Sequence, residues 1–205
     1  MAKVALVGAT GNAGSRILAE LAARGHRVTA IVRQPEKVPA LAGVVARQGD
    51  ADDPPGLAAL LAGHDAVISS LHFAKSDPAK LIAAVRQAGI KRYIVVGGAG
   101  GLEVAPGVRV IDIENGVPEA YRPESRAGIA FNAALRQADD LEWTFLSPSA
   151  EFVPGTRTGV FRLGRDQLLR DESGRSWISY EDYAVALVDE LEQPQHVRSR
   201  FTVGY

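Results

Sequence analysis

Val4-Ala-Leu-Val-Gly8-Ala-Thr-Gly11-Asn-Ala-Gly14-Ser-Arg-Ile17 is the stretch whose reading decides the fold. A short apolar run ends in a turn marked by three glycines. A helical pattern follows at once over Ala13–Arg24, with Ile17, Leu18 and Leu21 on one face. Strand, glycine turn and helix in that order can cradle a phosphate. Gly8 lets the chain turn off the strand, Gly11 lets backbone approach a diphosphate, and Gly14 lets the helix pack closely on the sheet. Free N–H groups at the helix start, with the positive end of the helix dipole, favour an anion there. The candidate contacts are Gly8, Thr10, Gly11, Asn12 and Ala13. The glycine spacing alone is a weak signal; its position after an N-terminal strand and before a helix makes it a strong one.

Outward from that unit, short apolar runs alternate with helical patterns. Strands are predicted at Val4–Val7, Arg27–Val32, Val44–Gln48, Ala66–Ser70 and Arg92–Val96, with helices at Pro55–Ala62 and Pro78–Ala88 between the later ones. Near-continuous apolar strands joined by helices imply a doubly buried parallel sheet, so the fold class is α/β, doubly wound. After Val96 the pattern loosens into Gly97-Gly98-Ala99-Gly100-Gly101 and a loop reaching about Pro118, long enough to suggest a functional or mobile segment. A helix starting near Glu119 or Pro123 runs to Gln137, and Trp143–Leu146 reads as a strand. Glu151–Ser176 reads as a small β-rich excursion on the C-terminal, substrate side, with a hairpin turn at Glu172-Ser-Gly174. Trp177-Ile-Ser179 leads into a helix over Tyr180–Glu192 capped by Ser179, and Arg200–Val203 reads as a last strand. With no repeat, low-complexity tract or linker, residues 1–205 are expected to form one domain.

Composition narrows the function. Of 205 residues 46% are apolar, enough for a full core, and the net charge of −1 with scattered basic residues points to neither nucleic acid nor an anionic membrane. Without cysteine there is no disulfide framework, thiol nucleophile or thiolate metal site. His26, His64 and His196 lack acidic partners at ligand spacing, so no metal is expected. The chain enters its first strand without a basic leader and has no membrane-length apolar run, so a cytoplasmic setting is the expectation. The helices near residues 78–88 and 123–137 offer a face for a homodimer.

Taken in order, Gly8-Ala-Thr-Gly-Asn-Ala-Gly14, Gly49-Asp50, Val95-Val-Gly-Gly98, Leu141-Glu-Trp-Thr-Phe-Leu-Ser-Pro148 and Ile178-Ser-Tyr-Glu-Asp-Tyr-Ala184 span nearly the whole chain. Together they resemble the short-chain dehydrogenase/reductase superfamily, in the atypical NAD(P)-binding branch of NmrA-like and biliverdin-reductase-B-like (flavin reductase) proteins. That resemblance implies a Rossmann fold and a nicotinamide dinucleotide. An NAD-preferring site would place an acid at the end of the second strand, about 20 residues past the glycines. Here the run is Ile31-Val32-Arg33-Gln34, and a guanidinium suits the 2′-phosphate of NADP(H). NADP(H) is therefore the expected cofactor, with NAD(H) the alternative; a solvated Arg33 at a loop start is the competing reading.

By the same resemblance Asp50 and the Ala51 N–H meet adenine, although Asp50 could equally serve as a turn or cap carboxylate. Ser69, Ser70, Leu71 and His72, with Gly97 and Gly98, line the nicotinamide-ribose side. The resemblance also implies a catalytic Ser after the fifth strand and a Tyr-x-x-x-Lys helix, where Tyr protonates the substrate and Lys lowers its pKa. This chain has Gly98-Ala99-Gly100 and then Tyr121 with Ser125 four residues on, and no lysine from Arg92 to Tyr205. Tyr121 and His72 are the remaining candidate proton donors, against packing and structural roles. His72, Ser147, Ser149 and Phe152 are expected to shape a substrate pocket.

Two functions fit. One is NADPH-dependent hydride transfer to a small flavin, quinone or similar conjugated acceptor, which needs orientation more than a side-chain acid. The other is an NADP(H)-sensing regulator of the NmrA-like kind.

Overall fold

The computed structural model describes residues 1–205. Its centre is an eight-stranded sheet built from β1 (Lys3–Val7), β2 (Arg27–Val32), β3 (Val44–Gln48), β4 (Ala66–Ser69), β5 (Arg92–Val96), β8 (Glu142–Pro148), β10 (Arg162–Gly164) and β12 (Ser199–Gly204). The order across the sheet is β10-β12-β8-β5-β4-β1-β2-β3. All neighbours are parallel except β10, which pairs antiparallel with β12. Two small sheets stand apart, β6 (Glu103–Ala105) with β7 (Val108–Arg109), and β9 (Glu151–Val153) with β11 (Trp177–Ser179).

Five helices cover the sheet: α1 (Asn12–Ala23), α2 (Pro54–Leu61), α3 (Pro78–Gln87), α4 (Arg122–Leu135) and α5 (Tyr180–Glu192). The period-2 alternation of β1 divides the core. Val4 and Leu6 enter the cluster under α1 and α5, while Ala5 and Val7 enter the one under α2, α3 and α4. Full burial of each such large aliphatic side chain contributes roughly 1.5–3 kcal/mol. Successive connections step outward from β1 through β2 to β3, then cross to β4, β5, β8 and β12. The reversal falls between β1 and β4, and the glycine turn lies at that switch point.

The capping chemistry follows the sequence. Pro54 and Pro78 start α2 and α3 behind Asp53 and Asp77, whose carboxylates accept from the Gly56 and Ala79 N–H groups. Ser179 accepts from the Asp182 N–H at the start of α5.

Two expectations are corrected. Glu172-Ser-Gly174 forms a turn, with Gly174 at φ +84° and the Asp171 carboxylate accepting from Ser173 and Arg175, but it joins no hairpin. β11 instead pairs in parallel with β9, because the sheet edge beside β12 is already taken by β10. The segment after β5 is not a plain loop; it folds into the β6–β7 hairpin and several 3-10 turns. The apolar side chains of α3 and α4 (Leu81, Ile82, Val85, Phe131, Leu135) pack into the chain's own core.

Buried carboxylates make the fold acid-sensitive. Asp182 is fully buried, and burial alone would raise its pKa. Hydrogen bonds from Thr158, Gly159 and Tyr205 outweigh that effect and hold it below the ordinary aspartate value. Glu190 is lowered in the same way, burial being overcome by the His196 side chain and the Gln195 and His196 N–H groups. A carboxyl whose folded pKa is depressed contributes stability that is complete above its unfolded value, about 4, and is lost as pH falls through the folded value. The urea midpoint is expected to be flat near neutrality and to fall steeply below about pH 4. Asp182→Asn should flatten that fall; an unchanged acid limb would rule out this carboxylate as a source of it.

Candidate functional site

The glycine turn is built by close backbone contacts. Gly8 has φ +88°, a region open to glycine at little cost, and its N–H donates to the Ile31 carbonyl at 3.0 Å. A methyl on Gly14 would stand 2.1 Å from the Gly8 carbonyl oxygen, so Gly14 packs the helix against the turn itself rather than against the sheet. Gly11 caps α1 with extended backbone and no side-chain cap, and the first turn carries no acid. The Asn12, Ala13 and Gly14 N–H groups donate to no protein acceptor. A Cβ at Gly11 would meet only the Gly8 oxygen, at 3.6 Å, so the outer side of the turn is open. Free donors, a positive helix end and an open side fit the diphosphate of a dinucleotide.

The flanking strand ends place the other predicted residues. Arg33 follows β2, exposed, with its guanidinium free of protein partners, while its carbonyl accepts from Gln48 Nε2 at 3.4 Å. Asp50 follows β3, exposed; one carboxylate oxygen accepts from the Asp52 N–H at 2.9 Å, a turn role that leaves the other oxygen without a protein partner. After β4, the Ser70 N–H donates to the Val7 carbonyl at 2.8 Å, binding this edge to the glycine turn. A methyl on Gly8 would lie 2.2 Å from the Ser70 oxygen and 3.0 Å from the Leu71 side chain. Gly97, after β5, sits where a Cβ would strike Phe145 and the Leu146 carbonyl. The topology thus gathers the glycine turn, Ser70–Leu71 and Gly97–Gly98 along one edge of the sheet.

The candidates for chemistry are less concentrated. The His72 side chain is 80% exposed, 3.7 Å from Glu124. Tyr121 is 65% exposed at the entry to α4. Ser125, where the resemblance implies lysine, is half-buried beside Gly100, with its hydroxyl oxygen buried and unpartnered. Ser147 and Ser149 are fully buried, and Ser149 Oγ donates to the Val203 carbonyl. Neither serine lines an open pocket: Ser147 lies near the end of β8 and Ser149 just after it, both without exposure to solvent. Phe152 is half-buried, packed at 4.5 Å on Tyr180 and 4.6 Å on Tyr183.

Sequence reasoning missed three residues. Glu124 clamps the turn after His72, accepting from the Phe73 and Ala74 N–H groups at 2.7 and 2.8 Å. Tyr183, fully buried, donates to the Leu146 carbonyl at 2.6 Å and accepts from the Gly97 N–H at 3.3 Å, which fixes the end of β5. Burial pushes its phenol well above the ordinary tyrosine range, so it serves as a fixed strut. Tyr180 places its hydroxyl 3.5 Å from Asn12 Nδ2, with the Arg16 guanidinium 5.7 Å from its ring. Only the Ile178–Ala184 motif pointed toward these tyrosines.

Comparison with known proteins agrees with this geometry. Residues 8–194 match the family described as NAD(P)H-binding. The Bacillus subtilis (strain 168) protein YwnB is 38% identical over 98% of this chain and 97% of its own length. A Burkholderia pseudomallei protein provisionally described as exported is 46% identical, with a TM-score of 0.90 and full coverage of both chains. A Streptococcus pneumoniae protein provisionally described as an NADH-flavin reductase is 33% identical, with a TM-score of 0.87 over 100% of this chain and 99% of that one.

Proposed function

This chain belongs to the NAD(P)H-binding family, and from that membership we propose that it is an NADPH-dependent reductase of a small flavin, quinone or similar conjugated acceptor. The observation that carries the proposal is the unpaired set of Asn12, Ala13 and Gly14 N–H groups at an acid-free helix start, with the free Arg33 guanidinium at the end of the neighbouring strand. The glycine turn holds the diphosphate, Arg33 the 2′-phosphate, and Asp50 with the Ala51 N–H the adenine. Ser70, Leu71, Gly97 and Gly98 hold the nicotinamide ribose. When bound, the nicotinamide supplies the hydride.

Phe152 and Tyr180 wall the acceptor side. The acceptor takes a hydride and a proton, and the proton is assigned to water. His72 and Tyr121 are so exposed that either would at most pass on a proton that solvent delivers as readily. Conjugated acceptors tolerate this because orientation, rather than a side-chain acid, lowers most of their barrier. Turnover with NADPH and a panel of flavins and quinones tests the proposal. No NADPH oxidation above background would overturn it.

Arg33 is expected to set cofactor choice. Arg33→Ala should weaken NADPH binding about tenfold while leaving NADH nearly unchanged, as loss of one charge-assisted phosphate contact does. Tryptophan-fluorescence titrations of both cofactors measure this, and an unchanged NADPH/NADH ratio would remove Arg33 from the site. The lysine-free stretch from Arg92 to Tyr205 favours a second reading, an NADP(H)-sensing regulator. It requires tight binding that separates NADP⁺ from NADPH together with zero turnover. No helix is long and apolar enough to cross a membrane. A cytoplasmic setting is part of the proposal, and cell fractionation tests it.

A further inference from the structure

Where the segment after β5 meets α4, the surface forms an open cavity that the cofactor reading does not use. It holds about 220 Å³ and is lined by Arg109, Ile111, Asp112, Arg122, Arg126 and Ile129. That volume is several times the ~30 Å³ share of one water molecule. Three guanidiniums meet one carboxylate there, and the carboxylate is already engaged. Asp112 accepts from Arg109 Nε at 2.7 Å, Nη2 at 2.9 Å and the backbone N–H at 3.3 Å. Arg122 is about three-quarters buried. It donates to the Ile111 carbonyl at 3.2 Å, and its nearest carboxylate, Glu119, lies 3.7 Å away and almost fully in water. Arg126 meets no acceptor in the chain.

The lining thus carries two positive charges in excess of its carboxylate. Like charges gathered round one cavity repel, and a bound anion reverses that cost. Planar guanidiniums with paired N–H groups match phosphate oxygens two at a time, and a phosphate dianion balances the excess. We infer that this cavity is a phosphate site, taking either inorganic phosphate or the phosphate monoester of an organic acceptor.

Its place in the fold favours the monoester. Gly98, on the cofactor edge, leads directly into the turn Ala99–Gly101, and a methyl on Gly101 would stand 3.1 Å from Ile129, a wall of the cavity. The link to an acceptor rests on the reductase reading; the anion site does not.

Calorimetric titration of the full chain with inorganic phosphate, riboflavin and flavin mononucleotide tests this in the wild type, in Arg126→Met and in Arg122→Met/Arg126→Met. The expected result is flavin mononucleotide binding about tenfold tighter than riboflavin, a preference reduced by Arg126→Met and erased in the double variant, with NADPH affinity unchanged. Arginine-dependent binding of inorganic phosphate, without any preference between the flavins, would identify the free ion as the ligand. A wild type that binds no phosphate and does not distinguish the flavins would overturn the inference, as would variants that keep the preference. The exposed Arg126→Met change preserves the test if loss of Arg122 disturbs folding. Failure of NADPH oxidation with phosphate binding intact would count against the reductase reading alone.

Discussion

Glu190→Ala is expected to destabilise the protein by about 3–5 kcal/mol, the largest effect of any single side-chain truncation proposed for this chain. Arg92 and Glu190 are nearly inaccessible, with side-chain exposures of 8% and 3%. Arg92 Nη2 bonds Glu190 Oε1 at 3.0 Å and the Glu190 carbonyl at 3.2 Å, while Nη1 bonds Thr144 Oγ1 at 2.7 Å and the Glu142 carbonyl at 2.9 Å. The other Glu190 oxygen takes His196 Nδ1 at 2.8 Å. Burial already pushes the Arg92 guanidinium below its ordinary pKa, and it is the Glu190 charge that opposes this. Truncating Glu190 leaves a buried cation without its counter-charge.

For a chain of this length the loss corresponds to a fall of roughly 10 °C in melting temperature. Arg92→Met/Glu190→Leu should recover much of it, since removing both charges leaves neither unpaired. Calorimetric melting of the three proteins decides the matter. If Glu190→Ala melts with the wild type, the pair does not hold the end of α5 to the sheet. The site itself should be little affected, because the pair lies at the opposite end of β5 from Gly97.

Gly14→Ala is expected to reduce NADPH affinity about 100-fold while the chain remains folded. The added methyl would stand 2.1 Å from the Gly8 oxygen and 3.0 Å from its carbonyl carbon. Neither atom is on a flexible side chain, so the start of α1 must move away from the turn. The helix itself accepts alanine readily, which makes the damage positional. The Asn12, Ala13 and Gly14 N–H groups then lose their common aim at the diphosphate, and each misdirected charge-assisted bond costs about 1.5–3 kcal/mol. Fluorescence titration measures the loss and circular dichroism checks the fold. Wild-type affinity in a folded Gly14→Ala protein would mean that the dinucleotide binds elsewhere.

Much of this molecule was legible because its signals are local. The glycine turn, the apolar strands, the prolines opening α2 and α3 and the Ser179 cap each declare themselves within a few residues. The position of Arg33, exposed just after β2, was legible in the same way. The substrate side was not. Ser147 and Ser149 read as pocket residues from their position after an apolar run, yet β12 covers them, a pairing made some 55 residues downstream. Glu124 carries no local signal of its role, since its grip on Phe73 and Ala74 reaches back about 50 residues.

The sequence by itself determined the fold class, the strands and helices of the first half and the glycine turn between β1 and α1, since each follows from hydrophobic period, glycine placement and capping within one turn or strand. Tertiary structure alone decided which polar groups became neighbours. It put Arg92 against Glu190, 98 residues apart, locked Gly97 to Tyr183 across 86, and gathered three arginines around one cavity. Such pairs leave no periodic trace because their energy comes from removing charge and hydrogen-bonding groups from water at one point in space, and only the packed sheet fixes that point.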